Sequence, residues 1–232
     1  MKFTESPVIQ LQVGPAVLSL HQDNSSMHVG TTVWQSSLVL VKFVERWSQT
    51  LITSSNPDGS SYRSVLDFGV GKRAIELGSG CGAAGMGLFL LGLTDILLTD
   101  ISPVMPALKL NLKRNKPVLR NKALKASVLY WNNKEQIRAS KPPFDYVIAA
   151  DLVYLEDNVG HLVDAMEALV KSDGVVLLGY QLRCPLADAK FWEICEKVFD
   201  KEKVPKEHLH PEYTFEESDV YILRKKATEQ GS

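Results

Sequence analysis

From about residue 72 onward, short apolar runs of strand length alternate with longer segments whose apolar residues recur at helical spacing. That alternation points to an α/β architecture, because parallel strands need crossovers long enough to hold a helix, and each helix then covers a face of the sheet. The runs predict strands near residues 73–77, 96–99, 125–130, 146–150 and 175–179, with helices over 84–91, 103–115, 159–170 and 186–199. Two further strand-like pieces, 203–205 and 220–224, flank a polar loop containing His208, His210 and Pro211. An antiparallel hairpin there would complete the sheet. No internal repeat at a solenoid period is present.

Ahead of the alternation, Val8-Ile9-Gln10-Leu11-Gln12-Val13 and Ala16-Val17-Leu18-Ser19-Leu20 bracket a Gly14-Pro15 turn and predict a β-hairpin. Leu38, Val41, Val44 and Trp47 then fall at helical intervals over 33–47, with Thr31 and Thr32 placed as caps. Residues 49–62 are serine-rich around Asn56-Pro57-Asp58-Gly59 and read as a loop. The expected organisation is an N-terminal hairpin, helix and loop, 1–62, packed on a core spanning 63–232 as one structural unit. A chain of 232 residues with 45% hydrophobic content can bury such a core.

Lys and Arg number 26 against 27 Asp and Glu, so no overall field draws the chain to nucleic acid or an anionic membrane. No apolar run approaches the roughly 20 residues needed to span a bilayer. Residues 1–10 lack the apolar centre of a secretory signal. Cys81, Cys184 and Cys195 show no metal-like pairing and suit a reducing compartment, so the expected location is cytoplasmic, with the nucleus also open.

The chemistry concentrates in Glu76-Leu77-Gly78-Ser79-Gly80-Cys81-Gly82, between a predicted strand and a predicted helix. Glycines there let backbone amides approach a ligand with no side chain in the way. The run Gly80-Cys81-Gly82-Ala83-Ala84-Gly85 also matches a dinucleotide fingerprint, and Asp100 stands 20 residues after Gly80, where an acid holds ribose hydroxyls. The glycines alone therefore leave a nicotinamide cofactor and an adenosine-containing one both open. Glu76 favours S-adenosylmethionine, because a carboxylate at that strand end suits an ammonium group and disfavours a pyrophosphate. Asp100 can accept hydrogen bonds from both ribose hydroxyls of any adenosine; its other reading is an acid at the start of the helix after Pro103.

Together with Gly30-Thr31-Thr32-Val33-Trp34, Leu98-Thr99-Asp100, Asn111-Leu112-Lys113-Arg114-Asn115, Leu129-Tyr130-Trp131 and Ala150-Asp151-Leu152-Val153-Tyr154, the glycine turn resembles the methyltransferase-like 21 family of seven-β-strand protein-lysine methyltransferases. The family includes the enzyme that acts on valosin-containing protein, and the resemblance runs from about residue 30 to residue 226. It implies a Rossmann-like seven-stranded sheet with helices on both faces, extended here by the N-terminal hairpin. It also implies S-adenosylmethionine as cofactor and a protein substrate presenting a lysine, such as a chaperone, an AAA ATPase or a translation factor. Carried over by position, the cofactor roles fall on Trp34, on Glu76 with Gly78, Ser79 and Gly80, on Asp100, on Trp131 beside adenine, and on Ala150. An aromatic face after the third strand would give adenine a stacking surface, consistent with Trp131. Asn132-Asn133 stands where many relatives have glycine, so the edge of the adenine pocket is expected to differ.

By the same resemblance, Asp151 and Tyr154 line the opening for the lysine side chain. Methyl transfer needs a neutral amine aligned with the methyl carbon, and freeing a lysine of pKa about 10.4 from its proton at pH 7 costs about 4 to 5 kcal/mol. A carboxylate beside the amine raises that pKa, which makes Asp151 a poor driving base. It is expected instead to capture the lysine and, once the proton has left to water, to accept an amine N–H, with Tyr154 walling the channel. The other reading has Asp151 capping the next helix and Tyr154 in the core. His208 and His210 lack zinc-site spacing and read as a solvated or substrate-rim loop, and Cys81 reads as a small residue of the turn.

Overall fold

Seven strands form one sheet in the order β5-β4-β3-β6-β7-β9-β8, in a computed structural model that describes residues 4–53, 62, 65–120 and 124–227. The strands are β3 (Arg73–Leu77), β4 (Asp95–Asp100), β5 (Lys125–Val128), β6 (Phe144–Ala150), β7 (Val170–Gln181), β8 (Phe199–Lys203) and β9 (Ser218–Lys225). The first five pair in parallel, and β9 lies antiparallel between β7 and β8. β6 is apolar at nearly every position and buried from Phe144 to Ala149 because helices cover both faces of a central parallel strand. The chain runs outward from β3 to β5, then crosses back to β6. That reversal opens a crevice at the carboxyl ends of β3 and β6.

The covering helices are α1 (Gln35–Thr53), α2 (Ala83–Leu90), α3 (Met105–Arg114), α4 (Lys134–Ala139), α5 (Glu156–Leu169) and α6 (Pro185–Val198). None of them is long and apolar enough to cross a membrane. Several local expectations need correction. Thr31 and Thr32 do not cap α1: the Thr31 hydroxyl donates to the Asp23 and His28 carbonyls, and Thr32 donates to Asn24 Oδ1. The expected loop at 49–62 is helical as far as Thr53, and its Asn-Pro-Asp-Gly segment lies outside the described residues. The strand placed at 203–205 is instead Phe199–Lys203, whose charged residues suit a sheet edge. His208 is only partly solvated: its ring packs 5.2 Å from that of Trp47 and its Nδ1 lies 2.9 Å from the Tyr62 hydroxyl.

The N-terminal strands β1 (Val8–Val13) and β2 (Ala16–His21) form the expected hairpin as a separate two-stranded sheet. Its buried residues, among them Leu11, Leu18 and Leu20, join α1 and α2 in one apolar cluster with a face of the large sheet. The outer edge of β2 is not left open. Asn115 accepts from the Ser19 amide at 2.8 Å and donates to the Ser19 carbonyl at 2.9 Å, while Asn111 makes the same pair of bonds to His21, both at 2.8 Å. Four residues along a helix rise about 6 Å and two along a strand about 7 Å, so side chains at i and i+4 of α3 can meet alternate residues of β2. Two buried amides thus replace a neighbouring strand.

Replacing Asn111 by Leu is expected to cost about 2 kcal/mol, from two lost hydrogen bonds and the part-buried N–H and C=O of His21 left unpaired. Urea denaturation measures it. A cost below about 0.5 kcal/mol would mean that water satisfies the strand edge equally well.

Candidate active site

A cavity of about 540 Å³ occupies the crevice. Its floor is the loop between β3 and α2, where Gly78, Gly80 and Gly82 take φ of 55°, 54° and 84°. The loop is tied to the end of β4: the Ser79 amide donates to the Thr99 carbonyl at 2.9 Å, the Thr99 amide to Ser79 Oγ at 3.0 Å, and the Thr99 hydroxyl to the Glu76 carbonyl at 2.6 Å. Gly80 N–H donates to Asp100 Oδ2 at 2.7 Å, and the Ile101 amide to Oδ1 at 2.7 Å. Asp100 is therefore fixed by the glycine loop, and α3, whose N-terminal boundary residue is Val104, has no side-chain cap. Each carboxylate oxygen retains accepting capacity toward the cavity.

Glu76, the next-to-last residue of β3, is 2% exposed, and its Oε2 has no hydrogen-bond partner. Burial pushes its carboxyl up to about 8, a rise that the nearby charge of Asp100 reinforces and hydrogen bonds from Ser79 and the Gly85 amide offset in part. Its Oε2 lies against Gly85 of α2, while the residue as a whole lines the cavity, and a buried carboxyl at that place suits a cation. Burial also raises Asp100, against its two amide hydrogen bonds. It pushes the Cys81 thiol up to about 12 as well, so Cys81 is no nucleophile and fills the turn.

The remaining walls come from distant parts of the chain. The 3-10 turn Val29–Thr31 lies against the glycine loop, and a Cβ on Gly80 would stand 2.9 Å from the Gly30 carbonyl oxygen. Trp34 donates through Nε1 to the Val29 carbonyl at 2.9 Å and lines the cavity, as do Trp131, Asn132 and Ala150. Asn133 does something else: its side chain accepts from the Glu135 and Gln136 amides, both at 3.1 Å, and starts α4. All ten predicted site residues, Trp34, Glu76, Gly78, Ser79, Gly80, Asp100, Trp131, Ala150, Asp151 and Tyr154, border this one cavity.

Asp151 follows β6 with φ of 62°, held by its amide's 2.9 Å bond to the Gly179 carbonyl. Its side chain caps no helix, because α5 begins at Glu156 after Leu155. Instead its carboxylate takes both prongs of Arg183, Nε to Oδ1 at 2.8 Å and Nη2 to Oδ2, plus the Ser36 hydroxyl at 3.3 Å. The Arg183 guanidinium also lies 4.7 Å from the centre of the Trp34 ring. Neither Arg183 nor Ser36 is marked by any spacing in the sequence, and only the fold brings them to Asp151. Tyr154 sits beside the cavity, its phenol raised by burial and by the charges of Asp100 and Asp151, so at neutral pH it is a hydrogen-bond donor.

The arrangement is a cavity with an acid pair at one end and an aromatic-flanked ion pair at the other. A model of the lysine methyltransferase family matches residues 13–198. The protein N-lysine methyltransferase METTL21A of Danio rerio is 32% identical over 72% of this chain and 67% of its own length. Its Mus musculus counterpart is 27% identical over 94% and 87%. Among solved structures, the Thermus thermophilus 16S rRNA N2 G1207 methyltransferase, in complex with AdoMet and guanosine, superposes with a TM-score of 0.61 at 18% identity, over 94% of this chain and 50% of that one. The TehB-like SAM-dependent methyltransferase of Corynebacterium glutamicum gives 0.51 at 19% identity, over 81% and 98%. At that identity these structures speak to the fold.

Proposed function

Because the chain belongs to the lysine methyltransferase family, in its methyltransferase-like 21 branch, we propose that it methylates a lysine side chain of a protein substrate with S-adenosylmethionine as methyl donor. The observation that carries the reading is the buried carboxyl of Glu76 lining one cavity with the glycine loop and Asp100, which together suit the ammonium end and the ribose of that cofactor. When bound, S-adenosylmethionine supplies an electrophilic methyl carbon: the lysine nitrogen lone pair forms the N–C bond as the C–S bond breaks and its electron pair goes to sulfur.

Glu76 holds the ammonium, Asp100 accepts from the ribose hydroxyls, and Gly78, Ser79 and Gly80 give the close backbone approach. Trp131 offers a face to adenine and Trp34 closes the cavity. Ala150, at the end of β6, leaves room near the transfer point. Asp151 and Tyr154 take the lysine side: Asp151 accepts an amine N–H after the ammonium proton has left to water, and Tyr154 walls the channel. By family resemblance the substrate is to be sought among chaperones, AAA ATPases and translation factors, and the three free cysteines support a cytoplasmic or nuclear setting.

Incubation with methyl-labelled S-adenosylmethionine and a cell lysate tests the reading. Label is expected on a lysine of a discrete protein. Asp151→Asn should slow that labelling about 100-fold while cofactor affinity, measured by calorimetry, stays within about twofold. Label confined to small molecules, or none, would overturn the assignment.

A further inference from the structure

Asp151 is the carboxylate nearest the proposed path of the lysine, yet its charge is already engaged. Both its oxygens face the fork of Arg183, whose side chain is only 14% exposed against 3% for that of Asp151. The pair is braced from two sides, by the Ser36 hydroxyl of α1 and by the Trp34 ring on the guanidinium. The charges of Asp151 and of Asp100 on β4 both act on the Tyr154 phenol. No other cation is paired with Asp151 among the described residues.

We propose that Arg183 is a positioning residue that cancels the charge of Asp151, so that the substrate amine meets a neutral ion pair instead of a free carboxylate. The proposal rests on the lysine-side assignment above. Two opposing demands meet at this point. A free carboxylate would bind a lysine ammonium tightly and hold its proton in place, slowing transfer, whereas a lone cation would repel it. The paired fork leaves Asp151 with accepting lone pairs and no net charge, which admits the amine and does not trap it protonated. A bidentate guanidinium on a nearly buried carboxylate is rigid enough to keep that balance, and the stacked indole fixes the guanidinium plane.

The test uses n-butylamine as a probe of the lysine side chain, with ligand-observed NMR at pH 7.5 on the free protein and on protein holding S-adenosylhomocysteine. Arg183→Gln should bind butylammonium at least tenfold more tightly than the wild type, and Asp151→Asn/Arg183→Gln should return to wild-type affinity. On the substrate identified from the lysate, Arg183→Gln should lower both KM and kcat, with kcat recovering in part in the double variant. A residue that only supported the fold would raise KM and would not be rescued by removing its partner.

Butylammonium binding unchanged or weakened in a folded Arg183→Gln protein would overturn the proposal. If that variant melts below the assay temperature, Arg183→Lys decides: it keeps the charge without the fork, so wild-type-like weak binding is expected, and tighter binding would overturn it. Because the probe is read without methyl transfer, failure of the methyltransferase reading appears separately, as absent cofactor binding in the wild type.

Discussion

Glu76→Gln is expected to stabilise the free protein at pH 8 and to remove most of the stabilisation that S-adenosylmethionine confers. The folded carboxyl keeps its proton up to about pH 8, whereas its ordinary value is 4.5. Between those values the folded state binds a proton that the unfolded chain has released, so stability is fully present below about 4.5, falls as the pH climbs through the window, and levels off above about 8. The loss amounts to a few kcal/mol, on the order of 4, for a shift of this size. Glutamine has no charge to desolvate, so the variant should show no such slope in melts compared at pH 5 and pH 8.

Binding reverses the balance. A cation against the Glu76 carboxyl draws the proton off, so at pH 7 the wild type should release close to one proton per cofactor bound, visible by calorimetry in buffers of different ionisation heat. Glu76→Gln should release none and bind about 100-fold more weakly, since a charge-assisted contact is lost. Wild-type binding without proton release would show that Glu76 does not face the cofactor's ammonium.

A methyl group on Gly80 should be nearly as damaging. Its φ of 54° costs an alanine about 1 to 2 kcal/mol, and its Cβ would stand 2.9 Å from the Gly30 carbonyl oxygen, a backbone atom that cannot swing aside. Either the glycine loop withdraws and loosens the Gly80 bond to Asp100, or the 3-10 turn that carries Trp34's partner Val29 is pushed outward. Both outcomes open the cofactor site. Cofactor affinity should fall about 100-fold and stability by about 2 to 3 kcal/mol, by titration calorimetry and urea denaturation. Gly14 serves as the control: its φ is 55° but open space surrounds it, so Gly14→Ala should carry only the backbone cost and leave affinity intact. Equal behaviour of the two variants would make the close approach at Gly80 irrelevant.

What the sequence discloses depends on whether a residue's role is set locally. β6 is a continuous apolar run, and α5 and α6 carry a helical period over enough residues, so all three can be placed within a few positions. Lys134–Ala139 is too short for a helical period to register, and only Asn133 as its cap distinguishes it from a loop. β8 has little apolar content because it is an edge, so the strand expectation slid toward Val204. In the site, Glu76 and Asp100 were legible because each stands at the carboxyl end of a strand, Glu76 just before the glycine turn and Asp100 at the end of the next strand. Arg183 was not, because a lone arginine two residues beyond β7 becomes a partner for Asp151 only once the sheet sets those two chain ends side by side. The asparagines of α3 stood out as a family pattern, but their pairing with β2 depends on a contact some 90 residues away in sequence.

That pairing also decides when the cofactor's cover is assembled. With Ser19 and His21 clamped to α3 and Gln35 already in α1, the segment from Gln22 to Trp34 is a closed loop anchored at both ends, further fastened by the Val33 amide on Gln22 and the Asp23 amide on the Thr31 carbonyl. Its closure entropy is therefore lost during folding and does not weigh against ligand binding, leaving the indole at high effective concentration over the site. An injury to the hairpin edge, remote from any reacting atom, would thus surface in a binding assay as a weaker cofactor, through a receptor that must be ordered afresh at each encounter.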